Sequence, residues 1–192
     1  MKIDLLCCKR TNAQYQEIRD RHYVANRGCI GQQLHYLIII DNKVGGIISG
    51  ASCVYAVKAR DEYFGLTKEN KKSSLPSIIN NVVFRLEIHI PNLATQVLSR
   101  WRKQVAIDWE ERYGVKVHGY ETFVVEEDFR KGTLYKADNW DFLGYTCGSA
   151  KLHNNILNKF SRYKTPIKMI YAKKIPKTHL STSYTPTWNL QS

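Results

Sequence analysis

The stretch Val82–Tyr145 constrains the fold most, because its apolar pattern alternates between the two-residue repeat of strands and the longer repeat of helices. VVFRLEIHI reads as a strand, and Pro91-Asn92-Leu93-Ala94-Thr95 as a turn onto a helix start. Beyond it Leu93, Val97, Trp101, Val105 and Trp109 recur four apart, a stripe that buries on a sheet. Arg100, Arg102, Lys103, Glu110 and Glu111 then face water. Gly114 stands where a left-handed residue commonly ends a helix. KVHGYETFVV reads as a second strand, EEDFRKGTLYKADNW as a short helix and FLGYTCG as the opening of a third strand. Such alternation predicts central strands that are partly parallel and covered on both faces.

The remaining segments fit around this unit. KIDLLCCK is expected to form an opening strand, with Thr11 or Asn12 capping a helix that carries Tyr15, Ile18, Arg19 and His22 on one side. QLHYLIII, DNKVGG and GGIISGASCVYAV read as a hairpin. Its Gly45, Gly46 and Gly50 point to a bulge or a close backbone approach. Arg60–Ser77 is polar and lysine-rich and reads as an extended loop, and TPIKMIYAKKI as a last strand. The expectation is one α/β domain over residues 1–175 and a polar, basic tail over 176–192.

Charge narrows the partner. The formal net charge is +12, and residues 151–192 hold eight Lys or Arg and no acidic residue. A basic face of that kind supplies salt-sensitive affinity for nucleic acid. No apolar run approaches the length of a membrane span and no lipid anchor motif accompanies the charge, so double-stranded DNA is the expected partner rather than a membrane. Lys151, Arg162, Lys164, Lys168, Lys173, Lys174 and Lys177 are the DNA-contact candidates, with Tyr145, Tyr163 and Trp188 as stacking partners. The five cysteines are scattered, with no pair or Cys/His spacing suited to zinc, so a cytosolic protein with reduced thiols and no metal is expected.

Three groups of residues could carry chemistry. A turn leaving a strand and opening a helix aims free N–H groups at an anion, which makes Asn92, Thr95 and Gln96 candidates for holding a cofactor or DNA phosphate; an ordinary capped helix start is the alternative. Tyr135 on the short helix is a competent general acid, or else a core tyrosine with a satisfied hydroxyl. His22 and Tyr23 close the first helix before a glycine-bearing loop, a suitable lip for a pocket. Glu87, His89 and Glu121 fall on expected central strands, where a buried charge needs a partner or a function.

The unit from Val82 to Tyr145, with its Tyr-x-x-x-x-Trp before a glycine-bearing strand, resembles the second half of a GNAT acyltransferase. The segments RHYV…GCIGQQLHYLI, IINNVVFRLEIHIPNLATQVL, DWEERYGVKVHGYETFV and DFRKGTLYKADNWDFLGYTCG together resemble the domain of the DruA component of Druantia anti-phage systems. They are more distantly similar to the Mom proteins, phage enzymes that modify adenine N6 in DNA with a methylcarbamoyl group. The resemblance spans residues 20–150 and implies a single-domain GNAT-like fold, a mixed sheet with helices on both faces, acting on DNA inside a bacterial or phage-infected cell. It further implies acetyl-CoA or a related acyl donor, with Tyr135 as the catalytic tyrosine, His22 and Tyr23 as the His-Tyr pair, and Thr95 in place of a serine at the cofactor helix. Two departures stand out. The turn at Asn92 lacks the glycines usual in GNAT enzymes, and Val125 occupies the place of an aspartate, followed by Glu126, Glu127 and Asp128. The function expected is transfer of an acyl- or carbamoyl-type group to an exocyclic base amine, with His22 and Glu121 as bases and Tyr135 as acid. The alternative is a non-catalytic DNA-binding module of a defence or mobile-element system.

Overall fold

Two residues set the first hairpin. Asp41 and Asn42 both adopt positive φ, 45° and 67°, the paired left-handed geometry whose twist matches a two-residue turn between antiparallel strands. They join β2 (Gln33–Ile40) to β3 (Lys43–Ser52), with β1 (Ile3–Cys8) paired antiparallel along the outer edge of β2. In this computed structural model residues 1–24, 31–127, 130–154 and 159–176 are described, side chains at 150–163 excepted.

Seven strands form one sheet in the order β1-β2-β3-β4-β5-β9-β6, with β4 at Ile78–Leu86, β5 at Gly119–Val125, β6 at Asp141–Tyr145 and β9 at Lys168–Lys174. The pair β4·β5 is parallel and every other neighbouring pair antiparallel. The parallel pair requires a crossover, and the helix α4 (Leu93–Tyr113) supplies it. A separate hairpin, β7 (Ser149–Asn154) with β8 (Lys159–Lys164), is the one strand pair the sequence pattern did not suggest, because it lacks a regular apolar alternation.

Helices cover both faces, as the pattern implied. On one face Val97, Trp101, Val105 and Trp109 of α4 are fully buried against Leu34, Tyr36, Ile38, Ile48, Ile79 and Tyr120. Gly50 makes that seat: a Cβ there would lie 2.7 Å from Ile79 and 3.1 Å from Trp101. On the other face Tyr15 and Ile18 of α1 (Ala13–Asp20), capped by the Asn12 side chain, pack on Leu37, Ile47 and Val83.

Two expectations need correction. Arg60–Ser77 is no extended loop: it folds into α2 (Lys58–Phe64), the short α3 (Lys71–Ser74) and a tight turn at Leu75–Ser77. Its polar composition belongs to surface helices that direct one residue, Arg60, inward. β4 also starts and ends earlier than expected. Its pairing with β3 ends at Leu86, with one further bond from the Glu87 N–H to the Gly45 carbonyl at 2.9 Å, and Pro91 lacks the N–H to prolong a ladder, so Glu87 and His89 lie beyond the strand. Glu87 instead pairs with Arg21 at 2.9 Å and with Arg85. No helix among the described residues is long and apolar enough to cross a membrane. The 177–192 stretch of the tail lies outside the described residues.

Candidate functional site

β4 and β5 stay together for four rungs only, Ile78–Asn81 against Gly119–Thr122, and then diverge. The cause is visible in β4. Gly50 faces Asn81 and Ser49 faces Val83, so Val82 is an extra residue, and a bulge of this kind bends its strand. Beyond the last rung β4 pairs only with β3, and β5 only with β9. The slot between them opens into a cleft of about 210 Å³ lined by Asn81, Val82, Phe84, Thr122, Phe123 and Val124 of the two strands. His22, Tyr23 and Val24 after α1, and residues 130–135, complete it.

The polar floor of the cleft is tightly specified. Asn81 Nδ2 donates to the carbonyls of Ser49 and Val83, both at 3.1 Å, which turns its Oδ1 toward the cleft. That oxygen accepts the Tyr135 hydroxyl at 2.8 Å. Thr122 Oγ1 donates to the Asn81 carbonyl at 2.9 Å and lies 3.4 Å from the Tyr135 hydroxyl. Tyr135 sits on the one-turn helix α5 (Thr133–Ala137), with its ring against Trp140 and Tyr171. The α5 entry at Gly132 has φ 66°, and a Cβ there would lie 2.4 Å from the Tyr171 hydroxyl, so only glycine brings α5 close enough. A phenol is protonated at neutral pH in any case, and burial raises the Tyr135 pKa further, so the group is a hydrogen-bond donor there.

The rim comes from His22 and Tyr23, whose rings lie 4.6 Å apart at 30°. Tyr23 is exposed and the Arg130 guanidinium sits 3.7 Å over its ring. Arg130 is held in turn by Glu127. His22 is buried, and its Nδ1 accepts the Val24 N–H at 3.1 Å. Desolvation first, then Arg19, with smaller contributions from Arg85 and Arg130, pushes its pKa down to about 4.

Glu121, expected as a base, does not reach this cleft. Strand alternation turns it to the opposite face from Thr122, where it is fully buried and bound to Arg60 Nη1 at 2.8 Å. Arg60 is fully buried as well; its bond to Glu121 ties α2 to β5, and it also holds Asp61 and the Val54 carbonyl. That carboxylate is a structural ion-pair partner.

At the other end of β4, a groove along Leu86–Pro91, Asn92 and Ala94 runs to the start of α4. Asn92 has φ 61°, the left-handed conformation that glycine usually supplies, and asparagine is among the few other residues that tolerate it. The glycine-free turn thus keeps the backbone shape. Thr95 donates its hydroxyl back to the Asn92 carbonyl at 2.9 Å, and Gln96 N–H donates to the same carbonyl at 3.1 Å. Of the carboxylates after Val125, Glu127 holds Arg130 and Glu126 lies against Tyr145, while Asp128 falls outside the described residues.

The basic candidates divide. Lys173 is committed elsewhere than expected, since its ammonium donates to the carbonyls of Asp138 and Asn139 at 2.8 and 2.9 Å and buttons the turn before β6. Lys174 lies 4.6 Å over the Tyr63 ring. Lys164 is exposed and Lys168 half-buried. The side chains of Lys151, Arg162 and Tyr163 lie outside the described residues, as do Lys177 and Trp188 altogether. Tyr145 is exposed at the sheet edge beside Phe142. Asn81, Thr122 and Arg130 were missed as site residues. The signal for Asn81 was an Asn-Asn pair interrupting a run of apolar strand residues.

This architecture is shared with solved GNAT structures at low sequence identity. An acetyltransferase of Bacillus subtilis, solved with CoA, superposes with a TM-score of 0.56 at 8% identity over 91% of this chain and 100% of that one. The aminoglycoside acetyltransferase AAC(6')-Ib, solved with coenzyme A, gives 0.54 at 8% identity over 90% and 95%. The ribosomal L7/L12 alpha-N-protein acetyltransferase RimL gives 0.50 at 12% identity over 91% and 94%. No curated protein matches the chain by sequence. The fold is therefore that of the GNAT acetyltransferases, and because the model of the Druantia protein DruA matches residues 2–176, the chain belongs to the DruA family.

Proposed function

We propose that this protein is a GNAT-type transferase that places an acyl- or carbamoyl-type group on an exocyclic amine of a DNA base. The observation that carries the reading is the slot between β4 and β5, floored by the connected hydroxyls and amide of Tyr135, Thr122 and Asn81.

The residues present fit an acyl-CoA. The opened strands give a slot for a narrow chain, β4 and β5 no longer pair with each other beyond Asn81 and Thr122, and the first turn of α4 after left-handed Asn92 presents N–H groups for a diphosphate. The Asn92 side chain, the Thr95 N–H and the Gln96 side chain would hold that end, since the Gln96 N–H is already bonded to the Asn92 carbonyl. When bound, such a cofactor supplies an activated acyl group and a thiolate leaving group. Tyr135 keeps its phenolic proton at neutral pH and donates it to Asn81 Oδ1 at the floor of the slot; a leaving thiolate that replaced Asn81 as acceptor would take that proton. Phe84, Phe123, Val124 and Leu134 line the walls with apolar surface and thin out water around that proton. Tyr23, with Arg130 on its face, offers a planar surface on which a base drawn from the duplex could stack. The net charge of +12 supplies attraction to phosphates.

A rival reading, a DNA-binding module without catalysis, draws on Val125 in the place of an aspartate. One experiment separates them: mass spectrometry of nucleosides from the DNA of cells that express the parent or Tyr135→Phe. A modified nucleoside with the parent, absent with the variant, is the expected result. Unmodified DNA from both, together with a melting temperature that acetyl-CoA leaves unchanged, would favour the binding module.

A further inference from the structure

The geometry points to His22 as a fixed hydrogen-bond donor that reads an acceptor atom on the substrate, and to a cleft that takes an amine already uncharged at neutral pH, an amino-heterocycle rather than an alkylammonium. This rests on the reading of the cleft as a transfer site.

A neutral imidazole has one N–H and one lone pair, and the bond that one nitrogen makes fixes the other. Here Nδ1 accepts the Val24 N–H, so the proton sits on Nε2. Nε2 makes no hydrogen bond to any described residue, and His22 lines the same cleft as Asn81, Thr122 and Tyr135. The side chain therefore offers a donor there, not a base. Moving the proton to Nδ1 would leave the Val24 N–H facing another N–H.

The surroundings resist a second proton. Arg19 of α1 donates to the Val24 carbonyl at 2.8 Å. Arg85 of β4 binds Glu87 and the Arg21 carbonyl, and Arg130 binds Glu127 across the Tyr23 ring. These guanidiniums all lower the basicity of His22 despite the carboxylates beside two of them, and its neutral form persists down to about pH 4.

An alkylamine arrives as a cation at neutral pH and must lose a proton before it can attack. The cleft is lined by the cationic Arg130 and Lys131 and by no carboxylate, so it repels such a cation, and the one lone pair of His22 is taken by the Val24 N–H. The exocyclic amine of adenine or cytosine is already neutral. It also stands beside a ring nitrogen with a lone pair, which is the acceptor an Nε2–H requires.

The test is nitrogen NMR of the full chain labelled with ¹⁵N-histidine, with the His22 signals assigned by their loss in His22→Gln. Expected are a proton on Nε2, a lone pair on Nδ1, and no change between pH 8 and pH 5.5. A proton on Nδ1, or an imidazolium near pH 6, would overturn the donor. Deoxyadenosine monophosphate at millimolar concentration should move the Nε2–H signal, whereas spermidine should not; the reverse, or no response to the nucleotide, would overturn the substrate class. Among variants, His22→Gln keeps a donor and has no base. Binding of the nucleotide should stay within about threefold of the parent in His22→Gln and fall about tenfold in His22→Ala, in line with one hydrogen bond. Equal losses in both would count against a donor. Melting temperature with acetyl-CoA tests the transfer reading separately, since the tautomer does not depend on it.

Discussion

Glu121 and Thr122 are neighbours on one strand, at the last rungs where β4 and β5 hold together, and they lead opposite lives. On one face Glu121 is sealed with Arg60, both fully buried. On the other, Thr122 joins Asn81 and Tyr135 at the floor of a cleft. The same contrast divides the preceding strand: Asn81 is bonded on both ends of its amide, whereas Asn80, across from Glu121, keeps a buried Oδ1 without a partner. A polar residue in a sheet thus takes its role from what the far side of the chain brings to its face. Arg60 closes one face, and Tyr135 equips the other.

Four experiments can break or sharpen that contrast, taken from the largest expected effect to the smallest. On the open face, Tyr135→Phe should lower transfer by about 10²–10⁴-fold while the protein stays folded with a loss of about 0.5–1.5 kcal/mol. An active variant would make the cleft floor as structural as the sealed face. On that sealed face, Arg60→Ala strands a buried carboxylate and should cost about 3–5 kcal/mol in urea unfolding. Replacing both partners, Arg60→Met with Glu121→Leu, should recover most of that loss. If the double variant also modified DNA normally, Glu121 would be excluded from catalysis.

The third is a pH scan. His35 is buried with Nδ1 at 3.1 Å from the Tyr15 hydroxyl and 3.0 Å from that of Ser49, and burial pushes its pKa down to about 4. The unfolded histidine titrates near 6.5. Between these values the unfolded chain takes up a proton that the folded chain refuses, so stability falls as pH drops from about 6.5 to about 4 and is unaffected by this group above that window. The His35 share should be about 2–3 kcal/mol, read as the difference between parent and His35→Gln. A parallel pair of curves would mean that His35 is protonated in the fold. Smallest is Thr95→Glu at the start of α4. A carboxylate near a helix N-terminus adds about 0.3–1 kcal/mol of stability. The variant should nevertheless lose acetyl-CoA binding, because the new charge repels a diphosphate. Retained binding would place the cofactor elsewhere.

Much of the frame was legible in advance. The four-residue stripe of α4 buries as its spacing required, and Asn12 and Gly114 cap where they should. β5 and β9 carry enough apolar and β-branched residues to announce themselves. The Arg60–Ser77 helices were hidden because their exposed polar residues outnumber the few that turn inward, Arg60, Leu75 and Ser77, and the β7·β8 hairpin because its pattern is irregular. Within the site, Tyr135 and the His22–Tyr23 pair were visible as residues of suitable chemistry in suitable positions, and the structure brings them to one cleft. Glu121 was visible too and is excluded from that cleft.

The division has a physical reason. Local sequence fixes what depends on near neighbours: helix periodicity, caps, turn conformations and which residues of a strand share a face. Even the left-handed Asn92 is a property that asparagine brings to a turn. Tertiary structure decided the rest, because it turns on contacts between residues far apart in the chain. Arg60 meets Glu121 across 61 positions, and Tyr135 meets Asn81 across 54. The bulge at Val82 opens the slot only because β3 supplies one residue opposite two. Which buried polar group is locked and which is left to work depends on those distant partners, and no local pattern encodes them.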